Sequence, residues 1–139
     1  MPASDSFGKV EGLTIVPSQH GPKETMDRLE AELRAQGVNI FARIDHAAGA
    51  REAGLELRPT EVVIFGNARG GTPLMQLGQT AGIDLPLKAL VWEDAEHKTW
   101  ISYNESSWIA QRHGLTNADA IVNKLAALLR VVTTKAAAK

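Results

Sequence analysis

Two helical stripes bracket a series of strand-like runs, and that order leaves few ways to fold the chain. The first stripe is Met26, Leu29 and Leu33, lying between Pro22 and Gly37. Proline suits a first helical turn, where its missing N–H would be unpaired anyway, and glycine suits the position just past a helix end. The last stripe, Ile121, Val122, Leu125, Leu128, Leu129 and Val132, is the strongest in the chain. Between the two, the apolar period drops from that of a helix to that of a strand. Val38, Ile40, Ala42 and Ile44 alternate with Asn39, Phe41, Arg43 and Asp45. Glu61 to Gly66 contains an apolar run that reads as buried on both faces. Lys88 to Glu93 and Thr99 to Tyr103 are two further strands, joined by a polar hairpin from Asp94 to Lys98. Leu13 to Val16, β-branched and closed by Pro17, is the first strand.

Shorter helical pieces fit between the strands. Ala47 to Gly54 is one. Thr72 and Pro73 read as the cap and first position of a second, running to Gln79, and Asn104 to Arg112 is a third. Thr116 and Asp119 make a capping-box-like start to the last helix. The order predicts an α+β fold, β-α-β4-α, with a mostly antiparallel five-stranded sheet and both long helices on one face. A single domain over residues 12–133 is expected, with flexible ends at 1–11 and 134–139.

The sheet face away from the helices is then expected to carry Phe41, Arg43 and Asp45, with Lys88, Trp92, Trp100 and Ser102. Such a face is too aromatic to stay bare and too charged to be core, which points to a second subunit or a ligand. Phe41, Arg43, Trp92 and Trp100 are the interface candidates.

The chain of 139 residues carries 15 basic and 16 acidic side chains, a net charge of -1. Without a basic excess or stripe, nucleic acid is not an expected partner. There are no cysteines, so disulfides, thiol nucleophiles and thiolate metal sites are excluded. The first residues lack a basic start followed by an apolar segment, and no apolar run approaches the roughly 18 residues of a spanning helix. A cytoplasmic protein with no membrane partner is the expectation.

Three groups of residues could carry chemistry. Asp45 and His46 place a carboxylate beside an imidazole, as in a general base. Neighbours in a strand point to opposite faces, so the alternative is an Asp that caps the next turn. Gly66 to Thr72 links a strand to a helix start, where free N–H groups attract an anion; Asn67, Arg69 and Thr72 would hold it. The spacing is not that of a P-loop. Arg58, Glu61, Asp84 and Lys88 flank strand ends beside prolines, as a charged pocket or as local ion pairs. The four histidines show no i,i+3 or i,i+4 pairing, so no metal is expected.

Several stretches in order, FARIDHAAGAREAGLELRPTEVVIFGN, GTPLMQ, IDLPLKALVWED, SYN and QRHGL, resemble a family of uncharacterised bacterial and archaeal proteins. It is domain-of-unknown-function family number three hundred and two, and the resemblance covers about Leu13 to Leu129. It implies a single copy of the fold repeated in the TATA-box-binding protein, a tendency to dimerise, and no assigned activity. Ala68 and Arg69 depart from the family pattern, where a proline and a basic residue are expected, leaving the loop backbone less fixed. The reading that results is a homodimer binding a small polar or anionic ligand or a partner, with no cofactor. Its alternative is an enzyme using Asp45, His46 or Glu61 for acid–base chemistry, with Asn67, Arg69 or Lys88 holding the substrate.

Overall fold

Alternation along the central strands sorts their side chains onto two faces, and one of those faces is the core. In the computed structural model, which describes residues 10–139, Val63 and Phe65 of β3 (Thr60–Gly66) lie opposite Ala89 and Leu87 of β4 (Leu87–Glu93). Val91 lies opposite Ile101 of β5 (Thr99–Asn104). All six are buried, Val63, Phe65 and Ile101 completely. Residues 1–9 of the N-terminal segment expected to be flexible lie outside the described residues.

The sheet is completed by β1 (Leu13–Pro17) and β2 (Asn39–Asp45) in the order β1-β5-β4-β3-β2, with every pair antiparallel and the sheet not closed. Two long helices, α1 (Pro22–Ala35) and α5 (Asp119–Ala137), pack against each other over the core face. Met26, Leu29 and Leu33 of α1 and Leu129 and Val132 of α5 are among its buried contributions. Because β1 and β2 are at opposite edges, α1 crosses the sheet and touches β2, β3, β4 and β5 on the way. The α+β architecture and the five antiparallel strands are as expected.

Smaller elements fill the connections: α2 (His46–Glu52), α3 (Ala68–Leu77), a 3-10 helix (Gln79–Asp84) and α4 (Ser106–Arg112). Before β1, Gly12 sits at φ +75° with the Trp108 ring of α4 where a Cβ would be, so neither the backbone nor the space admits another residue.

Local details differ from the sequence reading in four places. The capping position of α3 belongs to Asn67, whose Oδ1 accepts from Gly70 N at 2.8 Å; Thr72 and Pro73 lie inside the helix. The segment from 68 is therefore the first turn of a helix, and its backbone is held by that cap. Thr116 and Asp119 form no capping box, since Ala118 precedes α5 without a side-chain cap. The last helix also outruns its apolar stripe. It continues to Ala137 through the expected flexible tail, with Ala136 and Ala137 buried. Arg28 is the reason: its Nε donates to the Ala136 carbonyl and its Nη2 to those of Lys135 and Ala138, each at 2.9 Å. His20 Nε2 and Gln19 N complete the set on Ala138 and Ala137. Carbonyls that a helix end leaves unpaired thus find donors on α1 and the turn before it.

The fourth difference is in β2. Ile40 pairs with Phe65 and Ala42 with Ile64, so Phe41 is an extra residue, a β-bulge. Alternation shifts by one at that point. Ile40 stays with the core, Ala42 and Ile44 move to the far face, and Arg43 comes under the helices.

Candidate functional site

The face of the sheet opposite α1 and α5 carries a second set of side chains, among which Trp100 and Ser102 are buried. Strand register places Ile15, Ala42, Ile44, Val62, Ile64 and Leu90 there, together with Trp92, Trp100 and Ser102. Ile44 is 44% exposed and the bulged Phe41 57%. Ile15, Val62, Ile64 and Leu90 are half-buried. The apolar run in β3 is therefore buried on one face only. Among the described residues Lys88 is the one charged side chain this register puts on this face, and its Nζ turns back to the Pro86 carbonyl at 3.1 Å.

At one end of that face two indoles stack, Trp92 on Trp100, with centroids 6.3 Å apart. Trp92 Nε1 donates to Ser102 Oγ at 2.8 Å and Trp100 Nε1 to Asp94 Oδ2 at 2.9 Å. Asp94 also accepts the backbone N–H groups of Glu96 and Lys98, which fixes the β4–β5 turn. Burial of this carboxyl favours its neutral form, but the Trp100 donor and the two turn N–H groups outweigh it and hold the group below the ordinary range. Trp100 is 5% exposed, so its indole belongs to the interior of its own chain, stacked on Trp92.

Arg43, expected on this face, is on the other. Its Nη2 pairs with Glu61 Oε1 at 2.9 Å, and its Nη1 with Asp27 Oδ1 at 2.9 Å and Glu30 Oε1 at 3.2 Å. The guanidinium ties α1 to β2 and β3 and is raised well above its ordinary value, first by the Glu61 hydrogen bond. The Asp27 carboxyl is lowered by Lys23 and then Arg43, and that of Glu30 by Arg34 and then Arg43.

The ligand candidates do not meet. Asp45 ends β2 and caps α2, its Oδ1 accepting from Ala48 N at 2.9 Å. His46 opens α2, exposed and without a hydrogen-bond partner among the described residues. Asn67 is occupied as a helix cap, Arg69 and Thr72 are exposed on α3, and Lys88 lies on the sheet. Glu61 is paired with Arg43. An acid–base site requires such groups to converge on one hollow; Asp45 and Glu61 are cross-strand neighbours, but one caps α2 and the other pairs with Arg43, while Asn67, Arg69 and Lys88 belong to other parts of the fold.

Asp84, read from the sequence as part of a charged pocket or of local ion pairs, forms ion pairs with partners that the sequence did not indicate. Arg112 Nη1 donates to Asp84 Oδ1 at 2.8 Å and to Oδ2 at 2.9 Å, and Asp84 Oδ2 pairs with His113 Nε2 at 2.6 Å; His113 Nδ1 is 2.9 Å from Thr80 Oγ1. Burial works against the Asp84 charge, yet His113 and Arg112 hold its carboxyl below the ordinary range. The cluster pins the 3-10 helix to the end of α4. Its members are some 30 positions apart, as the chain separation of 28 and 29 shows, so no local spacing signals it.

A family model described as domain of unknown function DUF302 matches residues 14–132. The chain belongs to this family. A crystal structure of an uncharacterized conserved DUF302 protein from Bacillus stearothermophilus shares the fold: TM-score 0.82 at 18% identity, covering 91% of this chain and 99% of that one. Closer in sequence is a protein of Brucella suis biovar 1 (strain 1330) named fluoride-specific ion channel FluC 1. It is 52% identical over 104 residues, 75% of this chain and 41% of that protein. The FluC 1 of Brucella abortus biovar 1 (strain 9-941) matches at the same identity over 38% of its length. This DUF302 chain thus corresponds to about two-fifths of the curated relatives it matches. Among its described residues no helix is long and apolar enough to cross a membrane.

Proposed function

We propose that this DUF302 chain is a non-catalytic binding domain that works as a homodimer, two copies stacking the sheet faces opposite α1 and α5. The single observation that carries the reading is that face: α1 and α5 pack over the other one, and on this one the register places Ile15, Ala42, Ile44, Val62, Ile64 and Leu90, with Ile44 44% exposed. Water contact with apolar surface costs about 25 cal/mol per Å2, so a contiguous face of this kind favours a cover. Five strands about 4.8 Å apart and about 20 Å long give roughly 500 Å2 of projected sheet. Side-chain relief brings that toward the ~800 Å2 per partner of a standard interface. A second copy fits because the face is almost uncharged, so a two-fold axis brings few like charges together.

The Brucella relatives support a module rather than a conductor. A segment 52% identical takes up about two-fifths of proteins named as fluoride channels, while this chain contains no helix suited to crossing a membrane among its described residues. We place the module there as an appended binding domain. Sedimentation of the isolated chain tests the dimer: the expected species has twice the 15.0 kDa chain mass at micromolar concentration, and Leu90→Glu returns it to one. A wild-type monomer at high micromolar concentration, or a Leu90→Glu dimer, overturns the reading.

A further inference from the structure

Register sorts the sheet face opposite α1 and α5 into three rows that run across the strands. The middle row crosses all five: Ile15, Ser102, Leu90, Val62 and Ile44. On one side of it lie Lys88, Ile64 and Ala42, and on the other Pro17, Trp100, Trp92 and Thr60. The two outer rows differ in bulk and in charge. One holds the stacked indoles, and the other holds an alanine and Lys88. Two exposed apolar residues lie beyond them. Phe41, 57% exposed, comes to 3.9 Å from where a Cβ would stand on Gly66, which follows Ile64 on this face. At the opposite end Leu57, 49% exposed, lines a surface depression together with Thr60 and Trp92.

Two copies can stack these faces about a two-fold axis in two ways. With the axis along the strands, each row lies over itself. Lys88 is on β4, the middle strand, so the two ammonium groups then meet near the centre of the interface. The indole rows also meet, which holds the sheets apart at the other end. With the axis along the middle row, that row lies over itself and the outer rows exchange. Each Lys88 then comes over the indole row of the other copy, and each Phe41 over the other copy's Leu57. Ammonium groups repel one another but are attracted to an indole, and stable interfaces pack as densely as protein interiors. We propose that the two-fold axis runs along the row from Ile15 to Ile44, across the strands, so that Lys88 of each copy faces Trp92 of the other. This rests on the homodimer reading and adds which residues face which.

The chain has no cysteine, so one substitution gives one thiol. Facing sheets lie about 10 Å apart, too far for a disulfide and within reach of a short bismaleimide. Ile44→Cys alone is expected to give a covalent dimer, because Ile44 lies on the middle row and meets itself. Ile15→Cys, at the other edge of the sheet, does the same, and mixing the two variants adds no new linkage. Linkage in the mixture alone puts β1 over β2 and overturns the proposal, as does no linkage in samples that sediment as dimers. Lys88→Gln is expected to move the Trp92 indole N–H resonance in the dimer, although the two residues stand about 13 Å apart along one strand. In the Leu90→Glu background, where the chain is a monomer, the same change leaves that resonance in place. No shift in the dimer, or an equal shift in the monomer, overturns the pairing. Sedimentation separates the two readings: a wild-type monomer overturns the homodimer itself, and a dimer with the other linkage pattern overturns only the axis.

Discussion

Arg43 holds three carboxylates, two from α1 and one from β3, and removing its guanidinium leaves Glu61, Asp27 and Glu30 facing one another across the α1–sheet seam. Arg43→Met is expected to lower the unfolding free energy by about 2 kcal/mol, measured by denaturant titration near neutral pH. The pH dependence has a definite sign. Carboxyls lowered in the folded chain stabilise it above their unfolded values, and that stability is lost as pH falls through the folded ones. For Asp27 and Glu30 the loss sets in below their ordinary values of 3.8 and 4.5. Arg43→Met should give a shallower acid decline over that window, because only Lys23 and Arg34 still lower the two groups; an unchanged slope would rule out Arg43 as a cause. Which face carries Arg43 was not legible in the sequence. Strict alternation puts it beside Phe41 and Asp45, and nothing in the residues 39–45 announces the extra position at Phe41. Asp45 and Asn67 were more accessible to sequence reasoning, because each acts on an N–H three residues ahead. For Asp45 the capping alternative describes what the side chain does. For Asn67 the competing start signal is Thr72-Pro73, which lies one turn further into the helix.

Among the elements, α5 shows how tertiary contact extends a helix beyond its own apolar pattern. Alanine has the highest intrinsic helix propensity, so 136–138 are willing, but a helix end in water frays without partners for its carbonyls. Arg28 supplies them from more than 100 residues away. Arg28→Ala is therefore expected to lose hydrogen-exchange protection at 133–137 while the middle of α5 keeps it, at a stability cost of about 1 kcal/mol. Equal loss along the whole helix would mean that Arg28 acts on packing instead. The existence of both long helices and all five strands could be read from period and punctuation, since each repeats over several residues. Their ends could not, because ends are decided by single caps and by donors that arrive from elsewhere.

At the scale of the molecule, the order of elements was enough to place both long helices on one side of the sheet. What the sequence could not supply was the composition of the other side. With Arg43 and Asp45 on the helix face and Trp100 buried, the face is more apolar than alternation implies, which strengthens the case for sheet-on-sheet cover and weakens that for a charged pocket. The polar residues singled out for a ligand disperse for a related reason: a sequence shows that a group is polar, but its distance to the others depends on strands that pair far apart in the chain. The passage of α1 from one sheet edge to the other has a further consequence. Fourteen residues of helix rise about 21 Å, and four gaps between five strands amount to about 19 Å. The helix is a gauge for the width of the sheet it lies on. Deleting one turn from its middle should leave a chain that can keep β1 or β2 in place but not both, visible as loss of amide protection along a single sheet edge.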